Sequence, residues 1–177
     1  MPLSSPNFIK NYFLDKLIDT RLFFLRETTN VTNFIGAIKS AKKILIILPK
    51  NRAEEVASRE YIKKIYQIFD TSKISKLDIQ TLRKIDINWL GVPNKNYISK
   101  IRDERFDLLI DINSYHERLC SYLGALIESP MRIHLSPGKF DKIYNLQFRT
   151  GKKTPVADRF KNLINYLSIM RNTESVS

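Results

Sequence analysis

The 177 residues carry 30 lysines and arginines against 18 aspartates and glutamates, a formal charge of +12, with 43% hydrophobic and 11% aromatic content. That length supports one domain with a sizeable core, and the apolar content excludes a disordered chain. Cys120 is the single cysteine, which excludes an internal disulfide; with only His116 and His134 beside it, a structural zinc site has too few ligands.

The chain opens on Ser4, Ser5, Pro6 and Asn7, with Asn7 read as a helix cap. From 8 to 26, Phe8, Tyr12, Leu14, Leu17, Ile18, Leu22 and Leu25 recur at helical spacing, and Phe13, Phe23 and Phe24 widen that face. Such an amphipathic helix packs on a sheet, docks on a partner or lies in a membrane interface. A short helix through Phe34, Ile35 and Ile38 follows the polar break at 27–32. The run KILIIL at 43–48, ended by Pro49, reads as a central parallel strand. Residues 53–69 read as a helix with acids at its front, 77–82 as a half-buried strand, and 85–90 as an extended segment closed by Gly91 and Pro93.

Tyr97, Ile98 and Ile101 mark a short helix. The stretch 106–136, FDLLIDINSYHERLCSYLGALIESPMRIHLS, then reads as buried strand, polar turn, helix and second strand, the βαβ unit of a parallel sheet. After a turn at Pro137-Gly138 come a last strand at 143–148, a basic loop at 151–155 and a closing helix at 156–170. The order predicts a three-layer, Rossmann-like α/β sandwich with a mostly parallel sheet and an N-terminal amphipathic helix. Residues 1–40 form the helical extension, 41–172 the α/β domain and 173–177 a flexible tail. No apolar run reaches the ~20 residues of a membrane span and no secretory signal is present. A cytoplasmic protein, peripheral at the inner membrane surface if its first helix binds there, is the expectation.

Three sets of residues carry chemistry. Asn113 and Ser114 lie at the carboxyl end of the strong strand, where ligands bind in such sheets; Ser114 also begins an S-x-x-E capping box with Glu117. His116 and Cys120, four apart, would share a helix face; a buried, inert thiol is the simpler reading. Between 131 and 161, eight lysines and arginines face two aspartates: Arg132, Lys139, Lys142, Arg149, Lys152, Lys153, Arg159 and Lys161. Phe140, Tyr144 and Phe148 are interleaved, a pattern suited to phosphate contact and stacking on bases, or simply to packing in the core. Of these, Arg132, Lys139, Lys142, Arg149, Lys152 and Lys153 form the expected anion-binding set. There is neither a G-x-G-x-x-G nor a P-loop motif, and no cofactor is expected. The charge favours an anionic partner, whether lipid-sugar, nucleic acid or acidic protein; a basic, solvated surface is the competing account.

The stretch 106–136, the KILIIL strand and the closing helix VADRFKNLINYLSIM resemble the acceptor-side domain of the ADP-heptose:lipopolysaccharide heptosyltransferases (glycosyltransferase family 9), over residues 42–170. The chain also resembles small single-domain bacterial proteins of similar length, a likeness that implies no activity. The heptosyltransferase resemblance implies an acceptor-binding half whose nucleotide-sugar-binding partner domain lies outside these residues, so self-sufficient transfer is not expected. It implies a catalytic base at the family's Gly-Asp, which an ungapped match aligns with Ala53-Glu54. Glu54 keeps a carboxylate but the glycine is gone, and acids in a first helical turn also stabilise its positive end. The resulting expectation is a glycosyltransferase-like, non-catalytic binding or assembly module for an anionic partner, with a possible protein partner through the first helix. The alternatives are an acceptor-binding subunit of a two-chain glycosyltransferase and a basic RNA-associated protein.

Overall fold

The β-branched run after residue 42 becomes the second strand of a five-stranded, all-parallel sheet. A computed structural model describes residues 6–25, 33–69, 73–77, 87–88, 92–102, 104–136, 141–148 and 154–173. The elements are α1 (Pro6–Leu25), α2 (Phe34–Ser40), β1 (Lys43–Ile47), α3 (Arg52–Ile68), β2 (Lys73–Leu77), α4 (Lys95–Arg102) and β3 (Leu108–Asp111). They continue with α5 (Arg118–Leu126), β4 (Met131–His134), a 3-10 turn at Asp141–Ile143, β5 (Leu146–Gln147) and α6 (Val156–Asn172). The strand order is β2-β1-β3-β4-β5, and the sequence direction of travel reverses between β1 and β3. Open sheets with this order bind ligands at that switch point, beyond the strand carboxyl ends.

Alternation along the strands divides the core into two layers. Ile44, Ile46, Leu108, Ile110, Met131 and Ile133 pack under α2, α3 and α6. Leu45, Ile47 and Leu109 pack under α1, α4 and α5, together with Leu14 and Ile18 of α1. Each such side chain contributes ~1.5–3 kcal/mol by leaving water. Residues 1–40 therefore build both layers: Ile18 and Ile38 are fully buried, one in each. Asp107 staples the strand starts, since its carboxylate accepts the Lys42 and Lys43 amides at 2.8 and 2.9 Å.

Several sequence expectations change. The first helix includes Pro6, whose missing amide suits a first turn, so it starts before the expected Asn7 cap. It is apolar on more than one side: Leu14 and Ile18 face inward, while Phe8, Tyr12, Phe23 and Phe24 stay exposed. The strand expected at 77–82 is β2, at Lys73–Leu77, fixed by pairing Lys43 with Lys73 through Ile47 with Leu77. As an edge strand it carries lysines, a charge pattern that blunts edges and hides the strand from an apolar search; residues 78–82 lie outside the described set. Of the 85–90 segment only Ile87 and Asn88 are described, with Ile87 bridged to Pro93. The last strand shrinks to Leu146–Gln147 because Tyr144 turns inward and Asn145 exchanges hydrogen bonds with the Arg132 backbone at 2.7 and 2.9 Å. Among the described residues no helix is long and apolar enough to cross a membrane.

Candidate functional site

The loops after β1 and β3 meet at the switch point. Asn51 caps α3, its side-chain oxygen accepting the Ala53 and Glu54 amides at 2.9 and 3.4 Å. This sets Glu54 in the first turn, near the helix's positive end. Its carboxylate crosses to the β3 loop, where the Ser114 hydroxyl donates to it at 2.6 Å and the Ser114 amide at 3.4 Å. From α6, Arg159 donates to the Ser114 carbonyl at 2.7 Å and to the Thr154 carbonyl at 3.2 Å. Glu54 and Ser114, read separately from the sequence, thus form one contact.

Asn113 lies beneath them, fully buried. Its side-chain amide donates to Asp111 Oδ1 at 2.7 Å and to Cys120 Sγ at 3.2 Å, and its oxygen accepts the Lys50 amide at 2.9 Å. It stitches the two loops together rather than facing solvent. The expected Ser114 cap is corrected: the α5 cap is Glu117, whose carboxylate accepts the Leu119 and Cys120 amides at 2.6 and 3.0 Å. Ser114 lies too far ahead of Arg118, the first residue of α5, to cap it, and its hydroxyl instead donates to Glu54. Glu117 also pairs with Lys50 at 2.6 Å. Burial works against the Lys50 ammonium, yet the Glu117 hydrogen bond and charge outweigh it and raise Lys50 above lysine's ordinary value. Burial, then the charges of Glu54 and Glu117, raise the Tyr115 phenol.

His116 precedes α5, so it shares no helix face with Cys120; its Nδ1 lies 3.3 Å from Ser121 Oγ. Burial, then the neighbouring His134 and Arg118, lower His116. The Cys120 thiol is raised well above its ordinary value by burial, then by Asp111 and Glu117, which makes it an inert core group. Behind it, Tyr144 donates to Asp111 Oδ2 at 2.6 Å and stacks on His134 with ring centroids 4.5 Å apart. Among the described residues no group of three or more His, Cys, Asp or Glu is placed to hold a metal.

The expected anion-binding set is scattered. Arg132 is 1% exposed, so it is no surface cation: in a parallel sheet covered on both faces, a strand residue has no outward side. Lys142 is exposed on the 3-10 turn, whereas Lys139, Arg149, Lys152, Lys153 and Phe140 lie outside the described residues. Tyr144 and Phe148 pack into the two core layers and are not exposed stacking surfaces. The structure instead gathers cations that the sequence reading passed over. A groove of about 380 Å³ between α3 and the edge strand β2 is lined by Arg59, Lys63, Tyr66 and Lys76 over Leu48 and Ile62, with Glu55 at one end. Glu55 pairs with Arg59 at 3.2 Å and with Arg52 at 3.4 Å; among the described residues Lys63 and Lys76 have no acidic partner, and Lys76 lies 5.2 Å over the Tyr66 ring. The spacing 59, 63, 66 along one helix face was the available signal.

Fold and site together define a Rossmann-like α/β domain whose loops after β1 and β3 are hydrogen-bonded to each other, with a basic groove between α3 and β2. The chain belongs to DUF6913, a family of unknown function, whose model matches residues 10–170. Neither a curated protein nor a solved structure matches it significantly.

Proposed function

We propose that this domain is a glycosyltransferase-like, non-catalytic binding module for an anionic partner, engaged through the α3–β2 groove. The observation that carries the reading is the pair Lys63 and Lys76, exposed in one groove, without acidic partners among the described residues, and flanked by Tyr66. Cations so placed contact phosphate or carboxylate independently of sequence, while the ring offers a stacking face. The Glu54–Ser114 contact supports the non-catalytic part. Glu54 sits in the first turn of α3 with its carboxylate tied across to Ser114, a helix-end and loop-bridging role that needs no substrate.

The test is binding at low salt to phosphatidylglycerol vesicles, to a single-stranded RNA oligomer and to polyglutamate. The variant Lys63→Glu/Lys76→Glu should lose about tenfold or more in affinity for whichever probe binds, with a steeper loss as salt rises in the wild type. Its stability should change little, because exposed charges contribute little to folding. The loop variant Lys152→Glu/Lys153→Glu, compared beside it, measures how much of the basic loop joins the site. Equal binding by the groove variant, or no binding to any probe, would refute the reading. Glu54-dependent sugar transfer by a complex captured from source cells would favour the two-chain transferase instead.

A further inference from the structure

A cavity of about 610 Å³ lies at the opposite end of the sheet, by the amino ends of β3 and β4. That size falls within the range of small-molecule sites. Arg132 enters its wall from β4, Arg21 and Phe24 from α1, Arg105 from the turn before β3, and Glu128 from the turn before β4. Arg132 is 1% exposed, and its Nη2 donates to the Ile127 carbonyl at 3.2 Å. Its Nε and Nη1 are buried with no hydrogen-bond partner. An under-satisfied buried guanidinium is costly, and an anion with paired oxygens is what its planar fork fits.

Two further observations point the same way. Arg105 is the one non-glycine residue at positive φ among the described residues, at 40°, a conformation that disfavours side chains and gathers at functional sites. Its side chain lines the cavity and has no acidic partner among the described residues. The local charge is also unbalanced. Glu128 is shared loosely between Arg21 at 3.7 Å and Arg102 at 3.6 Å, while Asp107 is engaged by backbone amides. Three guanidiniums, those of Arg21, Arg105 and Arg132, thus line the cavity with two carboxylates, and the excess positive charge favours an anion. Burial, then the neighbouring Arg21, lowers Arg132 to about 10, a cationic strain that an anion would relieve.

We propose that this cavity binds a phosphate monoester, with Arg132 and Arg105 on the phosphate and Phe24 beside the organic group. The site is separate from the α3–β2 groove and does not depend on it. The phosphate belongs either to a soluble molecule or to a lipid head group; Phe24 lines the cavity and, like its chain neighbour Phe23, is about two-thirds exposed, an apolar surface suited to the latter.

The experiment measures binding of phenyl phosphate by calorimetry and thermal shift, and of phosphatidylcholine vesicles with and without phosphatidic acid by co-sedimentation. Wild type should bind at least one. Arg132→Met and Arg105→Ala should each weaken binding about tenfold or more, the loss of a charge-assisted hydrogen bond. Arg132→Met should fold at least as stably as wild type, since an apolar replacement removes a buried charge; a purely structural arginine would instead lower the melting temperature. Should that variant fail to fold, the exposed Arg105→Ala still decides. Phe23→Ser/Phe24→Ser loses vesicle binding and keeps phenyl phosphate if the source is lipid; phenyl phosphate binding without vesicle binding indicates a soluble ligand. Unchanged affinity in both arginine variants, or binding to neither probe, overturns the proposal.

Discussion

Tyr144→Phe tests the polar seam inside the second core layer. The phenol is 7% exposed, stacks on His134, and donates at 2.6 Å to Oδ2 of Asp111, itself 1% exposed. Oδ1 of that carboxylate takes both Asn113 hydrogen bonds, so removing the hydroxyl leaves Oδ2 with only His134 Nε2, 3.9 Å away. A hydrogen bond to a buried charged acceptor is worth about 1.5–3 kcal/mol, and we expect a loss near 2 kcal/mol at neutral pH. At this chain length that is a fall of roughly 4–8 °C in melting temperature. Urea unfolding is the assay, and its pH dependence adds a second check. Burial, then the Asp111 charge and hydrogen bond, raise Tyr144 well above its ordinary value in the folded state. The unfolded chain therefore loses this proton first as pH rises, at about pH 10. The phenol's contribution is complete below that pH and declines above it, so the gap between wild type and variant should narrow in alkali. A variant within about 0.5 kcal/mol of wild type at neutral pH, the scatter of ordinary surface changes, would refute the seam's role.

Two further outcomes are expected. Cys120, fully buried with its thiol raised, should resist alkylation in the native protein and react at a rate that follows the unfolded fraction in denaturant; fast labelling without denaturant would mean an accessible thiol. Asn51→Ala removes the α3 cap and should cost about 1 kcal/mol in urea unfolding, with no measurable cost indicating that another group takes over the two amides.

The parts of the fold legible in the sequence were those whose physics is local. β1 and β3 are buried on both sides, so their apolar runs stand out, and the helices declare their inner rows at 3.6-residue spacing. β2 was displaced in the sequence reading because an edge strand needs no apolar alternation and carries Lys73 and Lys76 instead. The site was half legible. Glu54 and Ser114 each stood out for position, but their contact spans 60 residues and only the β1–β3 pairing creates it. The S-x-x-E pattern at Ser114 was present and unused, since α5 begins only at Arg118 and Glu117 itself takes the cap position. Arg132 misled for a related reason: a basic residue between apolar neighbours signals a solvent face only when the sheet has one.

The two ends of the sheet differ in what their polar groups have left to offer. At the carboxyl end, Asn113, Glu54, Ser114, Lys50 and Glu117 already hold one another, with hydrogen bonds of 2.6–2.9 Å among them. A ligand entering there must break such contacts before it gains its own, and the exchange returns little net free energy. At the amino end, Arg132 carries two buried donors without acceptors and Arg105 a cation without an acid. A ligand anion there adds hydrogen bonds without breaking any, so each contact counts almost in full toward affinity. The switch-point rule locates where parallel sheets leave polar loop groups free to bind; in this chain the described groups of the loops after β1 and β3 hold one another, which is why the sites proposed above lie in the basic groove and the arginine cavity.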